Sequence, residues 1–245
     1  MDDVTASFRQ DLFEGPHVIV SGGTRGIGLG IAEGFARLGA MVDVLGRSAA
    51  GASSDQAGVT FHTVDVRDRK ALAAFVTGKP RLDILVNCAG IARPRDEYRE
   101  DVYLEVMDVN LNAAMWTSMA AQRLLARSGG SIVNIASMLS YLADPDVPAY
   151  CASKTGLLGL TRSLAFEFGR QGIRVNALAP GYHKTDMTRV HWENSEVERR
   201  IADRAALKRW GTVADVVGGT LFLAAPAARF ITGTCLVVDG GFVIG

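Results

Sequence analysis

One stretch limits the architecture of this chain more than any other: Val18-Ile19-Val20-Ser21-Gly22-Gly23-Thr24-Arg25-Gly26-Ile27-Gly28. An apolar run ends in a glycine-rich turn, and an amphipathic run follows through Ile31, Ala32, Phe35, Ala36 and Leu38. That pattern predicts a strand, a tight turn and a helix. The glycines serve a tight turn, close backbone approach to a ligand, and close helix–strand contact. The new helix aims free N–H groups and its positive dipole end at whatever sits above the turn. A pyrophosphate suits that place, with Gly22, Thr24, Arg25, Gly26, Ile27 and Gly28 as its candidate contacts. The spacing is G-x-x-x-G-x-G rather than the commoner G-x-G-x-x-G.

The rest of the chain repeats the alternation. Strands are expected at about His17–Ser21, Met41–Leu45, Val59–Val64, Leu82–Val86, Ser131–Ala136, Ile173–Leu178 and Thr234–Val238. Between them lie helical patterns: one that stops at Leu38-Gly39, Arg69–Thr77, an unbroken Glu100–Arg127, one carrying Tyr150 and Lys154 to about Phe168, and Thr212–Ala225. Ser48 to Gly58 is small and polar and reads as a loop; Tyr182 to Lys208 reads as partly helical. The expectation is an α/β fold of the doubly wound, Rossmann type, with a parallel sheet of about seven strands and helices on both faces. Residues 1–16 are read as an N-terminal extension with one apolar cluster (Phe8, Leu12, Phe13), and 17–245 as a single domain. Ligands of such sheets sit beyond the carboxyl ends of the strands, where every motif discussed here falls.

Composition narrows the function. With 26 basic and 26 acidic residues the net charge is zero, which argues against nucleic acid or an anionic membrane as a partner. No apolar run approaches the ~18 residues of a membrane span, and the acidic Met1-Asp2-Asp3 start lacks a signal pattern. Cys88, Cys151 and Cys235 are isolated thiols, as expected of a reducing, cytoplasmic setting. The four histidines (His17, His62, His183 and His191) read as structural or surface residues, and no metal site is expected.

A second motif supplies chemistry. Tyr150 and Lys154 stand four apart on one helix face. Reducing a carbonyl requires a proton for the developing alkoxide. A free tyrosine, with a pKa near ~10, holds its proton firmly, and a neighbouring ammonium would lower that value. The glycine turn and the Tyr-x-x-x-Lys motif together resemble the short-chain dehydrogenase/reductase family, in its short single-domain branch, from about Val18 to Gly241. The resemblance implies hydride transfer between a nicotinamide cofactor and a ketone or secondary alcohol. It implies Ser137 as the residue that holds the substrate oxygen. It implies Asn110 as the holder of a water leading to Lys154, while Asn112 faces elsewhere. It implies Asp65 and Val66 beside adenine, and Asn87, Ala89 and Gly90 beside the nicotinamide. Pro180, Gly181 and Thr185 would fix the carboxamide, and Lys154 the ribose. Two positions depart from the family pattern: Ala136 replaces the first serine of a Ser-Ser pair, and Cys88 the second asparagine of Asn-Asn-Ala-Gly. Cys151, next to Tyr150, points about 100° away on a helix and reads as packing.

The resemblance also implies a homotetramer, an expectation supported by the apolar end Phe242-Val243-Ile244. NADP(H) is the expected cofactor: Gly46 stands where an acidic residue would bind the ribose of NAD(H), Arg47 follows, and Arg25 is near. Were strand two to end earlier, Asp43 would take that role and NAD(H) would be favoured. The small-molecule substrate is the least constrained. Ser137–Tyr141 and Val147–Tyr150 look like dehydrogenases of sugar acids and polyols, and reductases of 3-oxoacyl thioesters on acyl carrier protein are similar over much of the same length. A non-catalytic nucleotide sensor or scaffold would be expected to lose Tyr150, Lys154 or Ser137. An extended-group epimerase would carry G-x-x-G-x-x-G and a larger substrate region.

Overall fold

Strand β1 (His17–Ser21) lies inside the sheet of the computed structural model, which describes residues 3–245. On one side it pairs in parallel with β2 (Met41–Gly46), and β2 with β3 (Val59–Thr63). On the other side follow β4 (Ile84–Asn87), β5 (Ser131–Ile135), β6 (Arg174–Pro180) and β7 (Cys235–Val238), giving the order β3-β2-β1-β4-β5-β6-β7. The chain reverses its direction of travel across the sheet between β1 and β4, so a crevice opens above their carboxyl ends.

Alternation along the strands divides the core between two faces. Val18, Val20, Val44, Val86 and Val133 pack with helix α1 (Gly26–Arg37) and the last helix (Val213–Ala224). Ile19, Leu45, Leu85 and Ile132 face the other way, against α2 (Arg69–Thr77) and the helices that follow β4 and β5. Phe13 is buried and meets Phe35 edge-on at 4.9 Å, so the segment before β1 packs into the first of these cores. No helix among the described residues is long and apolar enough to cross a membrane.

Differences from the sequence reading have local causes. β4 begins at Ile84 rather than Leu82, and the Asp83 carboxylate just before it accepts from the His17 N–H at 2.8 Å. β6 runs on to Pro180, because β7 continues to pair beside it. The expected single helix from Glu100 is α3 (Glu100–Met107), a widened π turn at Asp108–Asn112, and α4 (Ala113–Ser128). In that turn the Asn110 side chain bonds inward to the backbone of Ile91. Next come α5 (Pro148–Gly169), α6 (Arg189–Trp192), α7 (Ser195–Arg204) and α8 (Val213–Ala224).

Asp43 lies in the middle of β2, three residues before the strand ends at Gly46. It is 5% exposed and faces α2, with His17 Nε2 at 2.9 Å, His62 Nε2 at 2.5 Å and Lys79 Nζ at 2.6 Å from its oxygens. It therefore serves the sheet and does not reach the crevice. Burial alone would raise its pKa, but the bonds from His17, Lys79 and His62 outweigh burial and hold the carboxyl well below the ordinary 3.8. As pH falls below ~4 the unfolded chain takes up a proton that folded Asp43 refuses, so folding weakens. His17, raised by Asp43, contributes in the opposite sense: its share fades as pH rises through its folded pKa. We expect Asp43→Asn to lose about 2 kcal/mol at pH 7 and to show a flatter acid limb than the parent in urea midpoints measured from pH 3 to 7.

Candidate active site

The crevice floor is the turn after β1. A Cβ on Gly22, whose φ is +70°, would lie 2.5 Å from Ala89 Cα, so β1 and β4 end backbone against backbone. A Cβ on Gly28 would lie 2.4 Å from Gly22 O, which seats α1 directly on the turn. A Cβ on Gly26 would meet only Thr185, at 3.9 Å, leaving room above the helix start. No side chain caps α1 and no acidic residue stands in its first turn. Its free N–H groups thus face the cleft and suit a diphosphate. Thr24, Arg25, Ile27 and Arg47 line the same cleft.

At the end of β2, a Cβ on Gly46 would fall 2.5 Å from the Thr24 methyl. No side chain fits there without movement, and so no carboxylate. Arg47 is half-exposed beside it, 3.9 Å from Glu105. Val66 reaches the cleft wall, whereas Asp65 turns its carboxylate to Arg67, Nη2 to Oδ2 being 2.6 Å. Ala89, Gly90, Pro180, Gly181 and Thr185 line the opposite wall. Asn87 stands behind it, donating to Asn134 Oδ1 at 2.8 Å and to Ser118 Oγ at 3.2 Å, with its own Oδ1 unpartnered. Beside it Cys88 lines the cleft, its thiol pushed up to about 11 by burial.

Ser137, Tyr150 and Lys154 come together on one side of this cleft. Ser137 follows β5, and Tyr150 and Lys154 project from the first two turns of α5. Lys154 is 3% exposed; its Nζ donates to Ile135 O at 2.7 Å and lies 5.7 Å from the Tyr150 ring centre. Burial pulls the ammonium down to about 8. Burial likewise pushes the Tyr150 phenol up to about 12; the Ser137 hydroxyl opposes this, and Cys88, Cys151 and Glu97 add to it. The sequence reading had the lysine lowering the tyrosine. Here desolvation is the larger effect and keeps the phenol protonated. Such a group can donate a proton.

Asn110 is not on the cleft wall. Its Oδ1 accepts from Ile91 N–H at 2.8 Å, and its Nδ2 donates to Ile91 O and to Ser153 Oγ. It lies behind Gly90, where an added Cβ would be 3.7 Å from its Oδ1 and 3.5 Å from Lys154 Nζ. Asn112 pairs with Asp108, and the Cys151 thiol turns to Asp144 O. The sequence reading passed over His183, Ile91 and Met187, which also line the cleft. His183 lies between Gly181 and Thr185 and is buried, with Nδ1 3.1 Å from Gly181 O. Its place inside that motif was the available signal. Among the described residues no group of three or more His, Cys, Asp or Glu could hold a metal.

A family profile described as Enoyl-(Acyl carrier protein) reductase matches residues 22–243. The chain is 37% identical to a gluconate 5-dehydrogenase of Gluconobacter oxydans over 250 residues, covering 96% of this chain and 98% of that protein. It is equally 37% identical to a 3-oxoacyl-acyl-carrier-protein reductase of Chlamydia pneumoniae, covering 93% and 96%. A crystal structure of a gluconate 5-dehydrogenase from Burkholderia cenocepacia, in complex with NADP and tartrate, is 33% identical. It superposes with a TM-score of 0.88 over 96% of this chain and 99% of that one. The chain belongs to the short-chain dehydrogenase/reductase family and is an oxidoreductase.

Burying the Lys154 ammonium costs stability. Between about 8 and its ordinary 10.5 the unfolded chain binds a proton that folded Lys154 has lost, so folding strengthens as pH rises through that window. Lys154→Met should be inactive yet more stable than the parent by about 1 kcal/mol at pH 7. The gain should shrink toward pH 10.5 in denaturant titrations at the two pH values.

Proposed function

We propose that this enzyme interconverts a ketone and a secondary alcohol on a sugar acid or polyol, with NADP(H) as its preferred cofactor. The observation that carries the reading is the convergence of Ser137, Tyr150 and Lys154 on one cleft wall, across from an uncapped helix start. The dinucleotide supplies or accepts hydride. Gly22, Gly26, Gly28 and the first N–H groups of α1 hold its diphosphate. Arg25 and Arg47 attract a 2′-phosphate, and Gly46 carries no carboxylate of the kind that would favour NAD(H). Val66 flanks the adenine, with Asp65 next to it in the chain and held by Arg67. Asn87 braces Ala89 and Gly90, and Pro180, Gly181 and Thr185 hold the carboxamide.

Ser137 holds the substrate oxygen against Tyr150. As the carbonyl becomes an alkoxide, Tyr150 gives that oxygen its phenolic proton; in the reverse direction it takes the proton back. Lys154 holds the nicotinamide ribose and stabilises the phenolate with a positive charge shielded from water. Asn110 fixes the chain beside Lys154, where a water can relay the proton. The Burkholderia gluconate dehydrogenase with bound NADP supports both the cofactor and the substrate class. The Chlamydia enzyme supports a second reading, reduction of a 3-oxoacyl thioester.

Assembly as a homotetramer fits the exposed apolar side chains: Phe230 is fully exposed, and Phe166 and Ile244 nearly so. Light scattering at micromolar concentration should give four times the chain mass. A cytoplasmic location fits the three free thiols and is open to cell fractionation.

A panel of sugar acids, polyols and 3-oxoacyl thioesters, followed by nicotinamide absorbance with both cofactors, tests the function. Turnover is expected with a sugar acid or polyol. Acyl substrates alone would favour the second reading, and no turnover would favour a non-catalytic sensor or scaffold. Tyr150→Phe should lower kcat by about a hundredfold or more while cofactor binding survives. Arg47→Ala should lower kcat/KM for NADPH by about tenfold and spare NADH. A preference for NAD(H) that Arg47→Ala leaves unchanged would overturn the cofactor assignment.

A further inference from the structure

Tyr150 sits in the first turn of α5, where backbone N–H groups have no partner inside the helix. The cap residue of that helix, Val147, offers no side-chain bond, and the first turn holds no acidic residue. The missing acceptor comes from elsewhere. Glu97, in the short turn Asp96–Tyr98, is 1% exposed, and its Oε2 accepts from the Tyr150 N–H at 2.8 Å. Its Oε1 accepts from the Arg93 N–H at 2.9 Å. Both oxygens of this buried carboxylate are thus engaged by backbone donors, one of them the tyrosine's own, at the positive end of the helix dipole.

The same turn is fastened to the chain just before α5. Arg95 N–H donates to Asp146 O at 2.7 Å, its guanidinium lies 3.0 Å from the Asp146 carboxylate, and Tyr98 OH donates to Pro145 O at 2.8 Å. Arg95 adopts a φ of +68°, an unfavourable conformation for a side chain of its size. The surrounding bonds hold it there, and Glu97 follows two residues later.

We propose that Glu97 is the positioning residue for Tyr150: it sets the tyrosine against Ser137 and supplies a buried negative charge on the far side of it from the cleft. The inference rests on Tyr150 being the proton donor. Ser137 is carried by β5 and Tyr150 by α5, so their spacing depends on how the start of α5 is anchored. Glu97 provides that anchor from a third element. The groups around the phenol are Ser137, Cys88, Cys151, Lys154 and Glu97. Of these, Glu97 is the carboxylate, and its charge favours the protonated phenol.

Glu97→Gln keeps the length of the side chain, removes the charge and sets an amide N–H₂ against one of the two backbone donors. We expect kcat to fall about ten- to a hundredfold, with KM for the dinucleotide changing less than about threefold. The limb of the pH profile that follows Tyr150 should move to lower pH. Glu97→Asp keeps the charge, so its limb should stay near that of the parent while kcat recovers only in part. Phe168→Leu, at the distant end of α5, serves as a control for lost stability alone. An unmoved limb in Glu97→Gln, or a kcat loss no greater than that of a control with equal loss of melting temperature, overturns the proposal. If Tyr150→Phe also remains active, the assignment of the proton donor has failed instead.

Discussion

The contact on which the site depends is one of backbone against backbone. Where β1 and β4 end, Gly22 and Ala89 approach so closely that a single methyl on Gly22 would force them apart. The two strands are neighbours in the sheet, but the chain leaves them in opposite directions. The crevice between the departing segments therefore has a floor of main chain. A main-chain floor offers N–H groups at fixed positions, and α1, seated on the turn by the Gly28 contact, adds its own. An anion bound there needs no lysine or arginine beneath it. Arg25 and Arg47 line the cleft instead from exposed positions.

Above that floor the balance shifts from hydrogen bonding to desolvation. Lys154 and Tyr150 are both buried, and burial moves each toward its neutral form: the ammonium down, the phenol up. The fold sustains this through polar groups that are largely satisfied. Asn134 links Asn87 on β4 to Thr161 on α5, and Lys154 itself donates to the end of β5. These bonds tie α5 to the sheet at several heights. The first turn of α5 is held from the outer side by Glu97, so the proposed proton donor is fixed between two independently anchored elements.

Asp43 shows how the same composition serves stability in the middle of β2. One carboxylate gathers His17, His62 and Lys79 from β1, β3 and the segment after α2. It lies about 10 Å along the strand from Gly46 by strand rise, and that distance separates a structural ion cluster from the ribose end of the cleft.

Features that depend on near neighbours were legible in the sequence. Period-two and period-3.6 patterns placed the strands and helices, with α2 matching residue for residue at Arg69–Thr77. Glycine spacing located the turn, and a four-residue interval placed Tyr150 and Lys154 on one face of α5. The parallel order of the sheet followed from the alternation of elements and the handedness of crossovers. Features that depend on distant neighbours had to wait for the tertiary structure. The π turn at Asp108–Asn112 arises from Asn110 reaching Ile91, and Glu97 meets Tyr150 across 53 positions of chain. Asp65, expected beside adenine, is held by Arg67, and His183, expected to be structural or at the surface, is buried and lines the cleft. The same separation explains why the charge of Lys154 was visible and the stronger effect of burial was not. Charge belongs to a residue, whereas desolvation is set by everything that packs around it.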